Sequence, residues 1–396
     1  MKSLELFVGA GGLALGIAGA GFDHEAVIEW DKNACETIRE NQKRGLSPIS
    51  HWQLFETDVR QFDFSPFSER LDLLSGGPPC QPFSLGGKHK GHQDNRDMFP
   101  EASRAVREIR PRAFLFENVK GLLRSSFAKY FEYVLLQLTY PEISRKKSED
   151  WSEHLARLER YHTRGKPDGL FYRVVFRLLN AADYGVPQKR ERVIIVGFRC
   201  DQNLEWSFPK PTHSQDALLW NQWVTGAYWE RHGITKVNRP APPMYQKTKI
   251  EYLRNSLFSP CEEPWRTTRD AIGDLPEPYN PEQQSNILNH QFNPGAKIYP
   301  GHTGSLLDEP AKTLKAGDHG VPGGENMLLL PNREVRYFTV RESARLQTFP
   351  DEYLFRGSWT ETMRQLGNAV PVQLGNAIAA SIHSHLNTRK SKDKEL

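Results

Sequence analysis

The chain has 396 residues, 38% hydrophobic and 25% charged, the composition of a soluble globular protein long enough for two domains with their own cores. Its formal net charge of +4 is compatible with a nucleic-acid partner without requiring one. The four cysteines (Cys35, Cys80, Cys200, Cys261) make no C-x-x-C pair and suit a reducing cytosol rather than a zinc site or disulfide framework; no run of 18 apolar residues exists, so no spanning helix is expected.

Met1-Lys2 and the apolar stretch to Phe22 have the outline of a secretory signal, with Ala18-Gly19-Ala20 as a cleavage site. Glu5 interrupts its core and one lysine precedes it, so the stretch is read instead as a strand running into a glycine loop. Down to residue 200, short apolar runs alternate with amphipathic stretches. Leu4–Val8, Ala26–Glu29, Leu71–Leu74, Ala113–Glu117, Tyr172–Leu178 and Arg192–Phe198 read as strands; Asn33–Gln42, Met98–Ile109 and Phe127–Leu138 read as helices. That alternation predicts an α/β fold with a parallel sheet. The charged stretch 140–168, with Trp151, Leu155, Leu158 and Tyr161 at helical spacing, reads as an inserted surface helix in preference to a DNA-contacting arm. From Asp201 to about Arg333 the composition shifts to Pro, Trp, Asn and Gly, as in a second, loop-rich domain. Arg341–Leu346 and Gln373–His385 are again helical, and the Lys-rich end 388–396 is expected to be disordered.

Three segments carry chemistry. Gly9-Ala10-Gly11-Gly12 ends the first strand, where glycines allow a sharp turn and close approach of a ligand to a helix N-terminus. Glu29 lies twenty residues after Gly9, at the end of the second strand, where a carboxylate can accept from both hydroxyls of a ribose. NAD is a rival cofactor for such a loop; Trp30, able to lie against an adenine ring, favours S-adenosylmethionine. Asp58 reads either as an acceptor for the adenine amino group or as a turn cap. Next, Gly76-Gly77-Pro78-Pro79-Cys80-Gln81-Pro82 places a cysteine in a proline-stiffened loop at a strand end, where α/β enzymes hold their reacting groups. A thiolate there can add to C6 of a cytosine and make C5 nucleophilic. Finally, Glu117 ends the following strand and can share a proton with cytosine N3. Arg190 and Arg192, put on one face by strand alternation, read as contacts to the pyrimidine O2 and to a neighbouring carboxylate, or as an exposed charged edge.

The order Phe7–Gly12, Gly77-Pro78-Pro79-Cys80, Glu117-Asn118-Val119, Gln188–Arg192, Arg341–Gln347 and Gly367-Asn368-Ala369-Val370 resembles the bacterial DNA (cytosine-5) methyltransferases over about 1–200 and 334–385. The resemblance implies a Rossmann-like adenosylmethionine-dependent methyltransferase sheet in 1–200, completed by about 345–387. It further implies a smaller, irregular target-recognition domain in 201–333 and a hinge at 334–344. Cys80, Glu117 and Arg192 match the catalytic set, with Arg190 in support. The implied cofactor contacts are Phe7, Gly9, Gly11, Gly12, Glu29, Trp30, Asp58, Val59, Pro79, Met98, Asn368 and Val370, with S-adenosylhomocysteine as product and no metal. Gln81, Ser84 and Lys88 are implied DNA contacts. Thr313, in the one short recurrent element of the variable domain, is either a phosphate contact or part of a turn. The chain departs from the family at Gly86, where some members carry serine, and in the length of 140–168.

The partner so implied is double-stranded DNA, with no membrane, gripped in a cleft between two lobes. The target cytosine is flipped out of the stack at a cost of about a few kcal/mol, and Lys88-His89-Lys90 forms a lid. The enzyme is expected to be a monomer of the bacterial cytosol and the modification half of a restriction–modification pair. An RNA cytosine-5 methyltransferase of the same family and an NAD-dependent oxidoreductase are the alternatives.

Overall fold

The computed structural model describes residues 1–79, 97–165, 169–202, 205–279, 286–300, 303–316 and 324–392, with side chains to 388. The chain divides into two compact units: Met1–Leu179 with Glu191–Pro209 and Glu352–Leu396, and Asn180–Arg190 with Lys210–Asp351.

In the first unit, seven strands among the described residues form one sheet: β1 (Lys2–Leu6), β2 (Asp23–Glu29), β3 (Leu54–Glu56), β4 (Leu73–Gly76), β5 (Ala113–Val119), β6 (Tyr172–Asn180) and β7 (Glu191–Arg199), in the order β3-β2-β1-β4-β5-β7-β6. The pairs from β3 to β5 are parallel and β7 runs antiparallel to β5. The central strands are buried on both faces, as parallel strands covered by helices must be. The strand order reverses at β1 and β4, and ligands of such sheets bind outside the strand carboxyl ends at that point. Helices α1 (Gly12–Gly19), α2 (Lys32–Lys43), α3 (Phe99–Ile109), α4 (Ala128–Thr139) and α5 (Trp151–Thr163) cover the sheet. α1 is buried on every side from Gly12 to Ile17, so its sequence lacks the amphipathic period by which α2 is recognised.

The inserted helix α5 starts with a capping box. Asp150 accepts from the Glu153 amide at 2.8 Å, and Glu153 accepts from the Asp150 amide at 2.9 Å. Its Leu155 and Leu158 join the main core, so this is a half-buried element and not only a charged face. The last helix, Val372–Lys392, extends into the segment expected to be disordered. It crosses α1 where Gly16 permits backbone contact: a Cβ there would lie 2.5 Å from Val372 O.

The second unit is built from short helices, among them Gln215–Trp220, Ala227–Arg231, Lys247–Arg254 and Thr268–Ile272, around small aromatic and aliphatic clusters. It reaches further along the chain than the expected boundary. Arg336 forms a buried two-bond pair with Glu342 (2.7 and 2.8 Å), and buried Arg341 donates to Leu288 O and Pro350 O. These bonds tie 336–351 into the second unit, and the chain enters the first at Glu352.

Candidate active site

The expected cofactor half of the site is built at the end of β1. That strand stops at Leu6 rather than Val8, because Phe7 takes a left-handed conformation (φ 55°) and turns the chain. Gly9 (φ 55°) and Gly11 (φ 83°) continue the turn, and Gly11 is the N-cap of α1. Glu29 closes the loop from the neighbouring strand. One carboxylate oxygen accepts from the Gly9 amide at 2.8 Å, and the other from the Trp30 and Asp31 amides at 2.9 Å each. A carboxylate has about four acceptor positions, so roughly one remains for a ribose hydroxyl rather than the two of the sequence reading. Burial raises the Glu29 pKa, against the pull of those three amides. Trp30 is 66% exposed beside it, an uncovered indole at the end of β2.

The loop is held from below by residues far away in sequence. Tyr353 donates to Ala10 O at 2.6 Å, and the Trp52 ring lies 3.2 Å from where a Gly11 Cβ would be. Neither side chain was legible as a site residue, because the Tyr353 contact spans 343 positions. Asn368 ends the helix Trp359–Asn368 and Val370 is buried just beyond it. Arg364 of that helix pairs with Asp31 at 2.8 Å, next to Trp30.

The second half lies at the ends of β4 and β5. Asn118 donates to Pro78 O at 2.9 Å, so the loop leaving β4 is tied to the end of β5. A Cβ on Gly77 would sit 3.2 Å from Glu117 Oε2, which puts Glu117 directly over that loop. The amide of Met98 donates to Pro79 O at 3.1 Å, bringing two expected cofactor contacts together at the start of α3. In the antiparallel register Glu117 faces Ile194, and Arg192, two residues back, shares its face. Arg192 Nε lies 2.6 Å from Glu117 Oε1, out of line for a hydrogen bond but a close ion contact, with side chains only 11% and 10% exposed. Burial lowers the Arg192 pKa while Glu117 raises it. The arrangement is a carboxylate and a guanidinium held together in low dielectric, aimed at the loop that leads to residue 80.

Cys80, Gln81, Ser84 and Lys88 lie outside the described residues. Cys35, by contrast, is buried, and its thiol is pushed up to about 12, chiefly by burial, so it is no nucleophile at neutral pH.

Arg190 differs from the sequence reading, and Asp58 and Thr313, each left with two readings, make contacts of their own. Arg190 is not on β7, which starts at Glu191, so alternation does not extend to it. Its guanidinium is fully buried in the second unit and donates to Leu314 O at 2.9 Å. Asp58 takes the cap alternative: it accepts from the Arg60 amide at 2.9 Å, and both its oxygens pair with the Arg60 guanidinium. Its neighbour Val59 is buried. Thr313 has its hydroxyl engaged already, donating to Lys189 O at 2.6 Å within the second unit.

A sequence model of the C-5 cytosine-specific DNA methylase family matches residues 1–140 and 165–384, passing over only the insert between them and the end of the chain. The chain is 35% identical over 386 residues to the type II methyltransferase M.Eco47II of Escherichia coli, covering 96% of this chain and 78% of that one. It is 33% identical over 390 residues to the type II methyltransferase M.PspPI of Psychrobacter sp., covering 97% and 79%. The fold is similar to that of S. pombe Dnmt2 methyltransferase, with a TM-score of 0.53 and 17% identity over 98% of this chain and 99% of that one. With a methyltransferase sheet, a glycine loop closed by a strand-end carboxylate, and a family match over nearly its whole length, the chain belongs to the C-5 cytosine-specific DNA methylase family and is a DNA (cytosine-5-)-methyltransferase.

Proposed function

We propose that the chain methylates C5 of one cytosine within a specific duplex DNA sequence, using S-adenosylmethionine and a transient bond from Cys80 to cytosine C6. By likeness to the type II relatives, it acts as a modification enzyme, as a monomer in the bacterial cytosol, with an endonuclease reading the same site. The observation that carries the mechanism is the buried Glu117–Arg192 pair set over the Gly77–Pro79 segment.

The cofactor fits what the residues offer. The Gly9–Gly12 turn admits a ligand to the start of α1, Glu29 has an acceptor position for a ribose hydroxyl, and Trp30 offers an uncovered face for adenine. When bound, S-adenosylmethionine supplies an electrophilic methyl group. With the cytosine flipped out, the Cys80 thiolate adds to C6 and the electron pair moves toward C5. Glu117 holds a proton at N3, which stabilises the charge that develops on the ring, and Arg192 neutralises Glu117 and donates to O2. C5 takes the methyl group as its bond to the sulfonium sulfur breaks, leaving S-adenosylhomocysteine; C5 then loses its proton to a base, and the thiolate leaves from C6. Asp58 meets adenine only if Arg60 releases it. Thr313 meets a phosphate only through its remaining acceptor capacity, and Gln81, Ser84 and Lys88 belong to the loop nearest the DNA.

Methylation of random-sequence duplex followed by bisulfite mapping identifies the site. Duplex carrying 5-fluorocytosine there cannot lose a C5 proton, so wild type should form a denaturation-resistant protein–DNA adduct that Cys80→Ser does not. No adduct, or one that survives Cys80→Ser, overturns the mechanism. Transfer to RNA in preference to duplex DNA overturns the substrate.

A further inference from the structure

The stretch the family match passes over is not a bare addition. It walls a cavity of about 410 Å³ against α3 and α4, away from the glycine loop and from Glu117. Three helical stripes converge on it: Pro100, Arg104 and Arg107 of α3; Tyr130, Tyr133 and Gln137 of α4; Trp151 and His154 of α5. His154 fastens the insert in place. Its Nε2 faces Ile143 O at 2.7 Å and must carry the proton, and its Nδ1 accepts from Tyr133 at 2.9 Å. Burial holds its pKa down, in keeping with a neutral ring.

Besides the carboxylates of Asp97, which accepts from the Tyr130 hydroxyl, and Glu101, which accepts from Arg104, the lining has three kinds of chemistry. Gln137 is 9% exposed, and its side-chain amide has no partner among the described residues. The amide lines the cavity with its donors and acceptor unspent, open to whatever enters. An amide both donates and accepts, the pattern with which glutamine reads a nucleobase edge. Trp151, edge-on to Tyr130 at 68° and tilted on Tyr133 at 57°, gives an aromatic wall suited to a planar ring. At the mouth stand Arg107, whose ion contact is 3.6 Å to its neighbour Glu108, and exposed Arg145, with one 3.4 Å bond to Glu149 O. Arg104 differs from both: it is spent on Glu101, Glu108, Phe62 O and Val59 O. Two lightly engaged guanidinium groups beside a cavity suit a phosphate. The volume is in the range of small-molecule sites.

We propose that this cavity binds a nucleoside monophosphate, with the base against Trp151 and Gln137 and the phosphate toward Arg107 and Arg145. The site would be particular to chains that carry the insert, since α5 and the loop before it supply six of the fifteen residues of the wall.

The test titrates AMP, GMP, CMP and UMP, and inorganic phosphate alone, into the full chain by calorimetry. S-adenosylhomocysteine is kept saturating so that adenine cannot enter the cofactor site. At least one nucleotide should bind with a Kd below about 1 mM, with phosphate alone at least about tenfold weaker. Gln137→Leu and the pair R107A/R145A should each weaken the nucleotide about tenfold and leave S-adenosylhomocysteine affinity unchanged, which also reports that the variants fold. No binding by any of the four nucleotides, phosphate binding as tightly as the nucleotide, or nucleotide affinity unmoved in variants that still bind S-adenosylhomocysteine would each overturn the proposal. Methyl transfer is not read, so failure of the Cys80 mechanism would not affect the result.

Discussion

Removal of one member of the Glu117–Arg192 pair tests whether the site is organised around it. The two charges are 2.6 Å apart, and at an effective dielectric of about 20 their attraction is about 6 kcal/mol. Desolvation of both ions opposes most of that, so the net worth of the pair is small. Deleting one partner is another matter, because it strands a charge that is about nine-tenths buried. Arg192→Met should therefore cost about 3 kcal/mol of stability, near the lower end for a broken buried pair. Glu117→Gln should cost less, since the amide stays polar. The double variant E117Q/R192M should be about 2 kcal/mol more stable than the sum of the single losses implies. Urea unfolding of the four proteins, followed by circular dichroism, supplies the cycle. A coupling below about 0.5 kcal/mol would refute the argument, because independent sites add to within that margin. Arg192→Lys keeps the charge without the planar fork. It should recover much of the stability and still lose about 10²-fold in kcat, as when one preorganised donor is removed from a developing charge.

Gly16→Ala should cost about 1–3 kcal/mol by overpacking, because its Cβ would meet the backbone of the last helix at Val372 O and Asn376 N (2.5 and 2.7 Å) and not a movable side-chain tip; denaturant titration measures it. Tyr353→Phe leaves Ala10 O without its phenol donor, at a cost of about 1–3 kcal/mol, and should raise the Kd for S-adenosylmethionine more than it lowers kcat at saturation. An unchanged Kd would mean that the turn holds its shape without Tyr353. The pH response follows from two groups behind the glycine loop. Burial pushes Glu5 from 4.5 up to about 8, against the Ser75 hydroxyl, and pushes His24 from 6.5 down to about 4. For Glu5 the folded state binds more protons, so its contribution is lost as pH rises from 4.5 to about 8. For His24 the unfolded state binds more, so its contribution is lost as pH falls from 6.5 to about 4. The two slopes oppose between 4.5 and 6.5, and Glu5 acts alone above 6.5. Glu5→Gln should remove the decline in stability between pH 6.5 and 8, and a decline that persists in this variant must come from elsewhere.

The parts of the site that were legible in sequence are those whose geometry is local. A glycine loop after an apolar run, a carboxylate at the next strand end and prolines around a cysteine each specify their own backbone, and their order carries the family. The misreadings arose where a local rule was carried past its element. Strand alternation grouped Arg190 with Arg192, but the strand begins at Glu191 and the preceding residue follows the second unit. The apolar run through Phe7 and Val8 looked like strand, yet the turn starts at Phe7. Asp58 illustrates the opposite case: both readings were open, and the nearest cation, two residues away, takes the carboxylate.

What stayed hidden depends on contacts between distant segments. Tyr353, Gly16 and Gln137 are ordinary letters until a helix or loop from elsewhere is laid on them. That the glycine loop rests on the C-terminal segment has a consequence for how the first unit works. Tyr353 braces Ala10, Arg364 braces Asp31 beside Trp30, and the last helix lies on α1 at Gly16, so residues after 352 support the glycine loop from three directions. The chain returns from the second unit at that same residue, Glu352. The segment that follows the second unit in sequence is therefore the one that shapes the glycine loop. A lesion in it should weaken cofactor binding although none of these bracing side chains lies in the motifs that mark the family.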